Sequence, residues 1–293
     1  MAHKAGFVNI LGYPNVGKST LMNALVGEKL SIITSKAQTT RQRIMGIVNG
    51  EDFQIVYSDT PGIVRSPAYK MHELMNKYID TALIDADIII LMTEPGIKFQ
   101  EEALLQKLKK ESTPVIVLIN KMDLSNQTEI VEEISYWNRL LPDAEVIPVS
   151  ALEKFNVDKV FDLILEKLPE SPPYYDKDEF TDKSMRFFVS EIIREKILLN
   201  YRKEIPYEVE VAVESYKEDE KIVRISALIF TGRESQKAII LGHQGKAIKK
   251  MATEARKDIE DFIGKKVFLE TTVKVKKDWR DNENMLKHFG YDH

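Results

Sequence analysis

The chain has 293 residues, 43% of them hydrophobic and 30% charged, and contains no cysteine. That length predicts two domains, each able to bury its own core, and the composition excludes a disordered tail, a collagen and a disulfide scaffold. Without cysteine there is no thiolate metal site and no cysteine nucleophile. No apolar run approaches the ~18 residues of a membrane span, and the first residues lack a signal peptide's apolar region, so a cytoplasmic location is expected.

The formal charge of −4 is uneven. Residues 1–184 carry 20 Lys and Arg against 27 Asp and Glu, whereas residues 185–293 carry 22 against 19. Residues 237–280 alone hold 12 basic and 6 acidic side chains, a pattern compatible with nucleic acid and equally with a solvated helix face.

In chain order, short apolar runs alternate with helical patterns, the mark of βα units and a parallel sheet. Strands are predicted over 7–11, 53–58, 87–92, 115–119 and 145–149, with helices over 18–26, 71–84, 100–110, 128–140 and 157–168. The expected architecture is a doubly wound, mostly parallel α/β sheet spanning residues 1–168. Pro169, Pro172 and Pro173, followed by an acidic stretch, predict a linker over 169–183. A smaller α+β domain is expected over 184–293. There, Met185, Phe188, Val189, Ile192, Ile193 and Ile197 share one helix face, strands follow over 209–213 and 222–230, and a short helix over 235–241 precedes Gly242-His243-Gln244-Gly245. A longer helix (246–263) and a strand (266–275) complete the order α-β-β-α-GxxG-α-β.

Gly12-Tyr13-Pro14-Asn15-Val16-Gly17-Lys18-Ser19 matches the P-loop pattern G-x-x-x-x-G-K-S between a predicted strand and a predicted helix. Such a loop closes the backbone N–H groups of Asn15, Val16, Gly17, Lys18, Ser19 and Thr20 around phosphate oxygens. Lys18 then reaches the β- and γ-phosphates and Ser19 ligates magnesium. Asp59-Thr60-Pro61-Gly62 follows the second predicted strand and puts a carboxylate on the rim where ligands collect. Alone it reads as a plain turn; beside a P-loop it reads as the second magnesium-side acid.

Asn120-Lys121-Met122-Asp123 and Ser150-Ala151-Leu152 end two further predicted strands on the same rim. A carboxylate at Asp123 accepts hydrogen bonds from guanine N1–H and the 2-amino group, which adenine cannot supply. Ile63 stands where Ras-like GTPases place the water-orienting glutamine. His72, the one candidate substitute, is expected to be a surface histidine on a helix, and Phe99, Trp137 and Phe155 to fill core or surface.

The four elements together resemble a translation-factor-class GTPase. Gln38-Thr39-Thr40-Arg41 resembles the Q-T-T-R of the Era GTPases, and the C-terminal element order resembles their type II KH domain, so that the likeness covers about residues 5–290. It implies a GTP-hydrolysing switch acting in small ribosomal subunit assembly. Lys18, Thr40 and Gly62 would form its catalytic set, and Ser19, Thr40 and Asp59 would hold Mg2+. GTP or GDP would contact Asn15 to Thr20, Asp59, Gly62, Asn120, Lys121, Asp123, Ser150, Ala151 and Leu152.

Asn15 resembles the P-loop asparagine that holds K+ in related GTPases. The KH domain would bind single-stranded RNA at the 3′ end of the small-subunit ribosomal RNA through Gly242, His243, Gln244, Gly245, Lys246, Lys249 and Lys250. His243 and Gln244 stand where many family members carry a basic residue, and a GxxG by itself is usually only a helix-helix turn. Two rival readings are a P-loop ATPase or nucleotide kinase, opposed by Asn120 and Asp123, and a regulator of membrane or cell-division partners with peripheral membrane contact and incidental RNA binding. The chain is expected to act as a monomer.

Overall fold

The computed structural model describes residues 2–36, 38–110 and 112–291; residues 292–293, assigned above to the second domain, lie outside these. Two compact units divide the chain after Asp182, with residues 32–39 and 67–74 grouping with the second unit by contact.

The first unit is built on β1 (Lys4–Gly12), α1 (Lys18–Val26), β2 (Ile44–Asn49), β3 (Phe53–Asp59), α2 (Lys70–Ile84), β4 (Ile88–Thr93), α3 (Glu102–Lys110), β5 (Val115–Ile119), α4 (Gln127–Leu140), β6 (Glu145–Pro148) and α5 (Val157–Lys167). Its six strands run in the order β2-β3-β1-β4-β5-β6. The pairs from β3 through β6 are parallel and β2 pairs antiparallel to β3. β4 and β5 are buried along their whole length, as a central parallel strand covered on both faces must be, and this is why their sequences read as unbroken apolar runs. The strand order brings the ends of β1, β3, β4, β5 and β6 to one rim.

Strand β2 is absent from the sequence expectation. It is an edge strand, Gly46 interrupts its pattern, and it is defined by pairing with a partner five to fifteen residues away. Residues 169–183, expected as a linker, differ as well: up to Asp182 they run as a strap on the first unit. Gln54 Oε1 accepts from the N–H groups of Tyr174 (2.7 Å) and Tyr175 (3.0 Å). The Ile47 N–H donates to Phe180 O at 2.9 Å, Gly46 bridges to Thr181, and Lys177 Nζ donates to the carbonyls of Gly50 and Glu51. The prolines forbid a helix and enforce extension, and an extended segment meets an open sheet edge with the donors and acceptors that edge needs.

The second unit carries α6 (Met185–Asn200), β7 (Glu210–Glu218), β8 (Ile222–Thr231), α7 (Glu234–Leu241), α8 (Lys246–Ile263), β9 (Lys266–Val275) and α9 (Glu283–His288). Its sheet runs β7-β8-β9, antiparallel then parallel. The core joins Val189, Ile193 and Ile197 of α6 to Ile225, Ala227 and Ile229 of β8 and Met251, Ala255 and Ile259 of α8. Met185, placed on the apolar face of α6 by its spacing, is 40% exposed because it opens the helix behind the Ser184 cap. The C-terminal turn and α9 were not foreseen. They bury Trp279, Leu286 and Tyr291, with Trp279 Nε1 donating to Glu208 O and the Tyr291 hydroxyl to Glu210 Oε2. Among the described residues no helix is long and apolar enough to cross a membrane.

Candidate functional site

The chain leaves β1 into a loop whose backbone turns at Gly12 (φ 149°), Asn15 (φ 66°) and Gly17 (φ 102°). Two of these positions also exclude a side chain on space. A Cβ on Gly12 would lie 2.3 Å from Met92 O, and one on Gly17 would lie 2.3 Å from Asn120 Nδ2. Gly17 caps α1 without a side-chain hydrogen bond, so the first N–H groups of the helix, through Ser19 and Thr20, face the loop with the positive end of the helix dipole behind them. Lys18 is buried and its Nζ donates to Gly12 O (3.1 Å) and Tyr13 O (2.9 Å). Burial lowers its pKa to about 8, against the opposing pull of the Asp59 charge.

Three oxygens meet beside that lysine. Ser19 Oγ donates to Asp59 Oδ2 at 2.6 Å and lies 2.9 Å from Thr40 Oγ1, which in turn reaches Asp59 Oδ2 at 3.2 Å. Asp59 closes β3 and is fully buried. Burial raises its pKa, while Lys18 and the hydroxyls of Ser19, Ser31 and Thr40 act in the opposite sense. Its Oδ1 is enclosed without an aligned hydrogen-bond partner. A buried carboxylate with a free oxygen and two adjacent hydroxyls is a hard-oxygen donor set, and it fits Mg2+. The neighbouring Thr39 is engaged elsewhere, with Thr34 Oγ1 and Lys36 O both at 2.7 Å, which leaves Thr40 as the threonine of this cluster.

The Asp-Thr-Pro-Gly segment packs onto the P-loop. The Thr60 hydroxyl donates to Ile10 O at 2.7 Å, the Ile63 N–H donates to Gly12 O at 3.3 Å, and a Cβ on Gly62 would lie 2.7 Å from three atoms of Pro14. Ile63 offers no side chain able to take a proton. His72, expected at the surface, is buried instead and its Nδ1 accepts from the Ala68 N–H. That residue closes the turn before its helix, a role visible only once Ala68 is folded back over it. Phe99 and Trp137 are core residues and Phe155 is 51% exposed.

On the other side of the P-loop, Asn120 is a brace. Its Nδ2 donates to Val16 O at 2.8 Å and its Oδ1 accepts from the Ala151 N–H at 2.9 Å, so one buried amide ties the loop before α1 to the loop after β6. Lys121 adopts φ 62° and pairs with Glu94, a residue at the end of β4 that sequence reasoning missed although it ends a strand on the same rim. Asp123 lies in a short 3-10 turn with its side chain exposed. Ser150 and Phe155 exchange backbone hydrogen bonds that fold the Ser-Ala-Leu loop, and Leu152 at its tip is 74% exposed. The rim thus presents, in one row, an open carboxylate, an apolar side chain, a braced glycine loop and a cluster of hard oxygens.

In the second unit, Gly242 (φ 68°) and Gly245 (φ 72°) bracket a turn in which Gln244 also has positive φ. A Cβ on Gly242 would come 2.5 Å from Ala247 Cβ, so the first glycine is required for α7 and α8 to approach. His243, Gln244, Lys246, Lys249 and Lys250 are all exposed. Lys250 lies 3.8 Å from Glu254, which partly offsets its charge. The turn places unobstructed backbone and lysines at the start of α8, a surface suited to a sugar-phosphate chain.

These features define a guanine-nucleotide-type P-loop GTPase carrying a KH domain. A family model described as a 50S ribosome-binding GTPase matches residues 7–121, and a KH domain model matches residues 204–280. GTPase Era of Clostridium kluyveri is 43% identical over 291 residues, covering 98% of this chain and 99% of that protein. A chloroplastic ERA-like GTPase of Arabidopsis thaliana is 42% identical, covering 99% of this chain and 69% of that protein. A solved structure of Era in complex with MgGDPNP and nucleotides 1506–1542 of 16S ribosomal RNA superposes with a TM-score of 0.94 at 36% identity, covering 99% of this chain and 100% of that one. A variant of Aquifex aeolicus Era bound to GDP and AlF4− gives the same TM-score, identity and coverage. The chain belongs to the Era GTPase family.

Two predictions follow from the geometry of the rim. If Asp123 reads the base, Asp123→Asn is expected to shift preference from guanosine toward xanthosine nucleotides, because an amide N–H2 would meet the xanthine 2-oxo group where a carboxylate would meet the guanine 2-amino group. Competition between GTP and XTP reads this directly, and unchanged guanine affinity would remove Asp123 from base recognition. Asn120→Ala strands Val16 O and the Ala151 N–H at once, and is expected to destabilise the first unit by about 1–3 kcal/mol and to weaken GTP and GDP together. Denaturant unfolding with parallel nucleotide titrations checks both effects.

Proposed function

We propose that this chain is a GTP-hydrolysing switch that binds the 3′ region of small-subunit ribosomal RNA through its KH turn and acts in assembly of the small ribosomal subunit. The convergence of Ser19, Thr40 and Asp59 beside Lys18 carries the GTPase half of this reading. The RNA half is supported by the exposed GxxG turn and by a relative of 0.94 TM-score whose structure holds a 16S ribosomal RNA segment.

Backbone N–H groups from Asn15 to Thr20 take the phosphate oxygens. Lys18 exchanges its two carbonyl partners for the β- and γ-phosphates, which restore the full charge that burial disfavours. Ser19, Thr40 and Asp59 hold the magnesium ion, which when bound neutralises charge on the transferred phosphoryl group. Gly62 approaches the γ-phosphate through its backbone, and Lys121, Asp123, Ser150, Ala151 and Leu152 enclose the base. Ile63 provides no general base, and the catalytic set is Lys18, Thr40 and Gly62. Asn15 would hold a potassium ion, and that ion would supply the charge that an arginine finger supplies elsewhere. The chain works as a cytoplasmic monomer, with any membrane contact peripheral.

Intrinsic hydrolysis is therefore expected to be slow and faster in potassium than in sodium chloride at matched ionic strength; equal steady-state rates would remove the monovalent ion from the mechanism. Replacing both His243 and Gln244 with Asp is expected to abolish binding of a single-stranded oligonucleotide copying the small-subunit 3′ end while leaving GTP affinity intact, because two carboxylates repel the backbone now admitted. Gel-shift and filter-binding titrations measure it. RNA affinity that survives the double change would place the RNA site elsewhere.

A further inference from the structure

Three residues beyond Thr40, the chain carries a buried arginine that touches none of the groups assigned to the nucleotide. Arg43 donates from Nε to Ser58 Oγ (2.6 Å), from Nη1 to Asp85 Oδ2 (2.5 Å), and from Nη2 to Asp85 Oδ1 (3.0 Å) and Asn9 Oδ1 (3.1 Å). Asn9 in turn donates to Ala82 O (2.6 Å) and to Asp85 Oδ1 (2.7 Å). The Arg43 side chain is 7% exposed and that of Asp85 36%. The guanidinium is thus held on all three nitrogens by β1, by β3 and by the residue that follows α2, in the bidentate fork that fixes an arginine most firmly.

We infer that Arg43 is a positioning residue that sets where the Thr40 hydroxyl sits relative to Asp59. Ser58, its Nε partner, immediately precedes Asp59, and Ile44, the next residue along the chain, pairs with Asp59 in the ladder between β2 and β3. Three residues of extended chain span at most about 10 Å. Once Arg43 is pinned to the strand that bears the carboxylate, Thr40 is confined to a short arc around that carboxylate, and the observed 3.2 Å approach falls within it. Arg43 therefore narrows the search of the loop before it: the threonine arrives at the metal on a tether anchored beside the other ligand.

The inference rests on Ser19, Thr40 and Asp59 being the magnesium set, and the test separates the two. Arg43→Lys, Asp85→Asn and Thr40→Ala are made in the full chain. For each, affinity for a non-hydrolysable GTP analogue is titrated against free Mg2+, GDP affinity is measured at saturating Mg2+, and the thermal midpoint is recorded without nucleotide. Thr40 serves the γ-phosphate state, so Arg43→Lys and Asp85→Asn are expected to raise the Mg2+ concentration for half-maximal analogue binding by about 10-fold or more, the usual effect of removing a group that orients a metal ligand. GDP affinity is expected to stay within about twofold, since the P-loop itself is untouched.

Asp85→Asn keeps an oxygen toward Arg43 at a partly solvated position and is the second variant, its thermal midpoint showing whether it folds. An unchanged Mg2+ requirement in Asp85→Asn, with Thr40→Ala shifted, overturns the positioning role. Equal losses for the GTP analogue and GDP, tracking the thermal midpoint, also overturn it and leave Arg43 a fold residue. A Thr40→Ala variant with the parent's Mg2+ requirement overturns the metal assignment and the inference together.

Discussion

Asp59 ends a strand in the middle of the first unit, where no water reaches its carboxylate, and the nucleotide rim is arranged around satisfying that charge. Lys18 approaches from the P-loop and Ser19 and Thr40 close in with hydroxyls. Lys18 is buried among carbonyls, and one oxygen of Asp59 has no aligned donor. In the function proposed above, a magnesium–phosphate complex would complete both, offering an anion to the lysine and a cation to the carboxylate.

The chemistry of this rim was legible in the sequence because each part lies within a few consecutive residues: a loop that needs glycines, a carboxylate at a strand end, an asparagine and aspartate three apart. Connections between those parts were not. Asn120 reads locally as one member of a base-binding tetrapeptide, yet its amide spans Val16 and Ala151, two residues far from it in the chain. Glu94 has no motif at all and is defined by Lys121. His72 looks like a lone surface histidine until Ala68 turns back to bond it.

The same division holds for the fold. Central strands announce themselves through burial on both faces, whereas β2 is an edge strand with a glycine in it and owes its existence to pairing with β3. The buried C-terminal turn is held by Trp279 and Tyr291, whose partners Glu208 and Glu210 lie some seventy to eighty residues upstream, so no local periodicity signals it. The KH turn was visible for the opposite reason: its parts are consecutive in the chain, and its first glycine is demanded by a contact only five residues away, between Gly242 and Ala247.

The strap along β2 bears on how the protein behaves in a crowded cell. An uncovered edge strand with free N–H and C=O groups is a template on which a second chain can grow. Here the segment leaving the first unit supplies the missing partner through Phe180 and Thr181 and is pinned upstream by Gln54. The seal is made after the sheet has been synthesised, since those residues follow β6 in the chain. A stretch that carries no catalytic group thus does structural work, closing the β2 edge of the sheet against pairing with another chain.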